Sequence, residues 1–150
     1  SMAFGSPYSG IVTPNMMNIC VKDAKILGST VVFSDTIGVA TKKEVSLWAN
    51  IAKKNKIKSA IHIHHNGNEE KALQTVRYAL FEGITEIDSS IGGLGGCPFV
   101  KESGANLSTE TLVRHLKAWG FECGIDEDKL KPALNIVKKI KSLQKVILIK

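Results

Sequence analysis

What most restricts the fold of this 150-residue chain is a rhythm, in which short β-branched runs alternate with helix-period segments and recur every 25 to 30 residues. Residues 30–34 (TVVFS), 58–64 and 85–90 read as strands, rich in Val, Ile and Thr and bounded by polar or glycine signals. Thr13-Pro14 reads as an N-cap with proline at the first helical position, opening a helix that Gly28 stops. Over residues 42–54 a helix places Val45, Leu47, Trp48, Ile51 and Ala52 on one face, and another spans 69–82 with Gly83 beyond its end. Caps at Asn106 to Ser108 open a helix through Trp119, and a last helical region runs from Asp126 through 132–144, where Pro132 predicts a restart or kink. Strand and helix alternating at this spacing specify βαβ units on a parallel sheet. With residues 2–4 as the stub of one more strand, there are four such units. A closed eight-fold βα barrel takes roughly 200 to 250 residues, so the expectation is α/β: a partial, half TIM (βα) barrel with parallel strands and C-terminal helices. No linker interrupts it, and residues 1–150 read as one domain.

Composition removes several classes of function. No run approaches the roughly 18 apolar residues of a membrane span, and no basic-then-apolar signal pattern opens the chain. The net charge of +6 comes from 18 lysines and only two arginines against 14 acidic residues, with 6% aromatics. That leaves little for base readout or base stacking, so a solvated lysine surface is expected and no nucleic-acid partner. Cys20, Cys97 and Cys123 are odd in number and widely spaced, which indicates neither a disulfide framework nor a zinc knuckle. A reducing, cytoplasmic setting follows as the expectation.

The residues able to do chemistry collect at strand ends. In parallel α/β folds the carboxyl ends of the strands open onto the functional loops, and here those ends are Asp35-Thr36, His62-Ile63-His64 and Asp88-Ser89-Ser90. His62 and His64 stand two apart on a strand, so both imidazoles share a face, a plausible start for a divalent metal site. A solvated strand end would carry the same letters. Four glycines around Leu94 then lead into Cys97, a loop whose backbone can approach a ligand closely and whose thiol can act as nucleophile or proton donor. A flexible connection with a small buried cysteine is the alternative. Asn106, at a helix start, suits either a cap or an oxygen ligand for a hard cation.

In order, AFGSPYSG, SDTIGVAT, HIHH, EIDSSIGGLGGCPF and GANLSTE resemble the carboxyl-terminal half of the 3-hydroxy-3-methylglutaryl-CoA lyases, across residues 2–135. Related metal-dependent aldolases and Claisen-type synthases share the HxH and DTxG patterns but not, as a rule, the cysteine loop. The resemblance implies a divalent metal, Mg²⁺ or Mn²⁺, held by His62, His64 and Asn106. It implies catalytic roles for His62, for Cys97 in proton transfer, for Asp35 of the DTIG strand end and for Glu110 after the ligand asparagine. The implied substrate is 3-hydroxy-3-methylglutaryl-CoA or a similar acyl-CoA, cleaved by a retro-Claisen reaction to acetyl-CoA and acetoacetate. The sequence departs from the family pattern after HxH, where His65-Asn66-Gly67-Asn68 makes the loop about two residues longer. The family's Arg-Asp pair of the first strand lies outside these residues, so the chain alone is expected to be inactive. It should either self-associate as a truncated half barrel or need the missing amino-terminal half.

Overall fold

The computed structural model describes residues 1–97 and 105–147, with side chains through residue 142. Its core is a parallel four-stranded sheet of β1 (Met2–Ala3), β4 (Val31–Asp35), β5 (Ser59–Ile63) and β6 (Glu86–Asp88), in that spatial order. A two-residue antiparallel pair, β2 (Gly5–Ser6) with β3 (Gly10–Ile11), intervenes before α1 (Pro14–Ile26). Helices α2 (Lys42–Lys54) and α3 (Glu69–Phe81) make the crossovers, and α4 (Thr109–Ala118) and α5 (Glu127–Ile147) follow. The alternation read from sequence therefore holds, the stub at the amino terminus pairs as a strand, and the sheet stays open, a fragment of a barrel.

Local chemistry explains the element ends. The Thr13 side chain accepts from Met16 N at the start of α1, and Thr41 and Glu44 form a reciprocal capping box on α2. Ser108, not Asn106, caps α4 by accepting from Thr111 N, which leaves the Asn106 amide available elsewhere. Helix α5 continues through Pro132 without the expected restart. One proline forgoes a single backbone hydrogen bond, and the rest of a long helix sustains the turn.

Register divides the sheet into two unlike faces. Met2, Phe33, Ile61 and Ile87 are neighbours across the four strands and lie on the face toward the helices. The next row, Ala3, Ser34, His62 and Asp88, points to the opposite face because strand side chains alternate. On the helix side, Phe4 stacks on Trp48 with centroids 4.0 Å apart, and Phe33 meets both rings edge-on. Met17, Val21, Val45 and Val76 complete this layer at full burial. The other face carries Ser34, Ala60, His62 and Asp88 beside Val32, with Ser34 and Ala60 buried and Asp88 exposed. None of the described helices is long and apolar enough to cross a membrane.

Trp48→Ala removes the ring on which Phe4 and Phe33 converge and is expected to cost about 3–5 kcal/mol of unfolding free energy. Ile26→Ala, at a side chain 83% exposed, should change it by less than about 0.5 kcal/mol. Urea titration of the two variants checks both values.

Candidate functional site

Parallel register brings the strand-end residues to one rim. Ser34, His62 and Asp88 are lateral neighbours, and His64, just past β5, bridges to Asn106 across the sheet end. Ser90 pairs similarly with Ser108. His62 and His64 turn toward each other, their Nε2 atoms 3.1 Å apart. Asp88 Oδ2 lies 3.8 Å from His62 Nδ1 on the other side of that ring. Burial holds the His64 imidazole below its ordinary range, the neighbouring His62 adds to the effect, and the Asp35 carboxylate pulls against it. A neutral imidazole is the form that ligates a metal.

Two buried side-chain polar atoms among the described residues lack a hydrogen-bond partner, and both belong to this corner: His64 Nδ1 and Asn106 Oδ1. Buried polar atoms are ordinarily paired, so two orphans in one corner single it out as a candidate binding place. The Asn106 amide is fixed by its other end, since Nδ2 donates to Leu94 O at 2.9 Å. Its oxygen is thereby left as an acceptor beside the two histidines. Two nitrogen ligands of a six-coordinate ion at about 2.1 Å stand about 3 Å apart, so the paired imidazoles fit a divalent cation. No cluster of three or more His, Cys, Asp and Glu side chains suited to a metal occurs among the described residues. A cation held by the imidazole pair would therefore need the Asn106 oxygen and further ligands to complete its shell.

The remaining residues singled out in the sequence surround this corner and brace it. Asp35 is 2% exposed and accepts Val39 N at 2.8 Å and Ala40 N at 3.0 Å, one amide on each carboxylate oxygen. Its visible work is to tie down the loop after β4. Glu110 Oε2 accepts Gly92 N at 3.0 Å, bracing the 3-10 turn Ile91–Gly93 against α4. The same turn is pressed on Asn106: a methyl group built on Gly93 would sit 2.8 Å from Asn106 O, and one on Gly95 would sit 2.9 Å from Asn106 Nδ2. Both glycines also have positive φ, so only glycine satisfies the conformation and the space. Cys97, half-buried, follows Gly95 by two residues, a span of at most about 7 Å. The cysteine loop therefore starts against the asparagine, at the rim that holds the histidines. Residues 98–104 of the motif lie outside the described part.

Sequence reasoning overlooked the pairing of Asp88 with His62, although the EIDSS strand end carried the signal. The backbone N–H of His65 donates to Ala105 O at 3.1 Å and so joins the histidine strand to the asparagine segment. His65, Asn66 and Asn68 of the longer loop, with Lys71 of α3, line a cavity of about 260 Å³ behind His64 and Asp35. Asp35→Asn leaves one of the two loop amides without its charged acceptor, a loss of about 1.5–3 kcal/mol. Hydrogen exchange should show reduced protection at Val39 or Ala40, with the amides of α3 unchanged.

Comparison with known proteins matches this arrangement over nearly the whole chain. The HMGL-like family model matches residues 1–137. A cytoplasmic 3-hydroxy-3-methylglutaryl-CoA lyase of Mus musculus is 32% identical over 140 residues, which is 93% of this chain and 41% of the relative. The solved HMG-CoA lyase of Brucella melitensis superposes with a TM-score of 0.81 at 33% identity, covering 92% of this chain and 49% of that one. An HMG-CoA lyase of Acinetobacter baumannii, solved in complex with coenzyme A and 3-methylmalate, gives a TM-score of 0.76 at 29% identity over 88% of this chain and 46% of its own. The chain thus spans between two-fifths and one-half of each of these three proteins.

Proposed function

Since the chain belongs to the HMGL-like family, we propose that its rim is the carboxyl-terminal part of a hydroxymethylglutaryl-CoA lyase catalytic centre, one that works when the remaining βα units close the barrel. The observation that carries this reading is the facing imidazole pair with the unpartnered Asn106 oxygen beside it, flush against the loop of Cys97. His62, His64 and Asn106 would hold a divalent cation, Mg²⁺ or Mn²⁺, with Asp88 beside His62 and Asp35 near His64 steadying the rings. When bound, such an ion supplies Lewis-acid polarisation of the substrate oxygens and offsets developing negative charge.

The residues of this chain divide the rest of the work. A base takes the tertiary hydroxyl proton as the carbon–carbon bond breaks, releasing the ketone product while the electron pair passes to the acetyl-CoA carbon as an enolate. Cys97 then gives its thiol proton to that carbon, the general-acid half of the reaction. Asp35 and Glu110 act as positioning residues, the first on the loop beside His64 and the second on the turn beneath Cys97. The substrate class is an acyl-CoA with a tertiary 3-hydroxyl and a carboxylate.

The open sheet is the reason for proposing a supporting partner as well. In this reading the row of Ala3, Ser34, His62 and Asp88 would line half of a barrel lumen, and β1 and β6, the edge strands of this sheet, would pair further. The amino-terminal half of a lyase barrel completes both. Two copies closing on each other would cover the same edges, and sedimentation of the isolated chain distinguishes this from a monomer.

Calorimetry with Mn²⁺ should show binding that His64→Ala and Asn106→Ala each weaken, by roughly 10-fold or more for loss of a ligand. Equal affinity in wild type and His64→Ala would remove the metal assignment. Cleavage of 3-hydroxy-3-methylglutaryl-CoA by residues 1–150 alone should be undetectable. Adding the amino-terminal half of a lyase should restore turnover, and Cys97→Ala should abolish it. Turnover that survives Cys97→Ala would instead favour an aldolase-type or Claisen-type relative that needs no thiol.

A further inference from the structure

Gly92 is held at both ends of its own residue by charged side chains from two different helices. Its N–H donates to Glu110 Oε2 of α4 at 3.0 Å, and its carbonyl accepts from Lys141 Nζ of α5. Helix α5 also packs against the missing side chain. A methyl group built on Gly92 would sit 2.9 Å from Val137 Cγ1 and 3.4 Å from Leu134 Cδ1. Leu134, Val137 and Lys141 recur at helical spacing and form one face. All three are half-buried, while the neighbouring Lys138 and Lys139 are exposed. A lysine thus occupies a position of the packing stripe that an apolar residue would ordinarily fill, and its ammonium is spent on one backbone carbonyl.

That carbonyl sits at the root of the cysteine loop. After Gly92 the chain presses Gly93 against Asn106 O, and Leu94 O accepts both Ser90 Oγ at 2.7 Å and Asn106 Nδ2 at 2.9 Å. Gly95 then passes beside the same amide, with Cys97 two residues further. A shift of Gly92 is therefore passed through a run of close contacts to both Asn106 and Cys97. We infer that α5 is a strap across the root of this loop and that Lys141 is its positioning residue, setting where the Cys97 thiol stands relative to Asn106. The inference rests on the reading that Cys97 works at this rim. Lys141 acts through the Gly92 peptide, with Glu110 as the counterpart on the N–H side.

The test reads the thiol rather than turnover. The chain carries three cysteines, so alkylation by iodoacetamide followed by peptide mass spectrometry reports Cys97 against Cys20 and Cys123 as internal references in one sample. Lys141→Met keeps the stem and removes the ammonium. It should raise the alkylation rate of Cys97 about 10-fold, the factor by which losing one charge-assisted hydrogen bond shifts a local opening equilibrium. Cys20 and Cys123 should keep their wild-type rates, and Lys141→Arg, which still donates, should hold Cys97 near its wild-type rate. An unchanged Cys97 rate in Lys141→Met overturns the proposal. So does a parallel rise at all three cysteines, which would make α5 a support of the whole fold, and so does Lys141→Arg behaving like Lys141→Met. Because no substrate is used, failure here leaves the lyase reading to the Cys97→Ala turnover experiment, and failure of that experiment leaves the strap intact.

Discussion

Everything at the rim depends on the parity of a parallel sheet. Lateral neighbours in parallel strands project to the same face, and successive residues to opposite faces. One row therefore delivers Phe33, Ile61 and Ile87 to the helix layer, and the next delivers Ser34, His62 and Asp88 to the opposite face. A slip of one residue between β4 and β5 would put an imidazole into the aromatic layer around Trp48 and an isoleucine at the rim. The apolar layer penalises that exchange heavily, so hydrophobic burial on one side of the sheet fixes the position of polar chemistry on the other.

The second level of organisation is backbone capture. Much of what surrounds the histidines is held by side chains bonding to main-chain groups: Asp35 to two amides, Asn106 to Leu94 O, Glu110 and Lys141 to Gly92. A loop rich in glycine has no side chains of its own with which to pack. Charged and amide groups from neighbouring elements substitute for them, which makes a flexible sequence stand in one place. Close approach of Gly93 and Gly95 to Asn106 is the steric complement of this arrangement, since any Cβ there would push the amide away.

How much of this was legible in the sequence depends on the range of the interaction. The alternation of strands and helices, the caps at Thr13 and Thr41 and the common rim of Asp35, His62, His64 and Cys97 follow from local periodicity and from the rule that strand ends carry the chemistry. The identity of the α4 cap did not follow. Asn106 and Ser108 are both good caps in isolation, and the choice falls to Ser108 because the Asn106 amide is engaged by Leu94, twelve residues earlier. Lys141 was similarly invisible: among 18 lysines nothing in the letters separates one that caps a carbonyl 49 residues away from those that only face water. Pro132 was read by a local rule that the surrounding helix overrides. Roles implied by family resemblance, such as those of Asp35 and Glu110, gain a physical content from the structure that is chiefly architectural.

The unlike faces of the sheet also bear on how such a protein is made. The aromatic layer of Phe4, Phe33 and Trp48 closes between this sheet and its own helices, using only residues of this chain. The opposite face carries Ser34, His62 and Asp88 beside Val32 and Ala60 and buries less apolar surface of its own. The layer between this sheet and its helices can thus consolidate independently of whatever meets the opposite face.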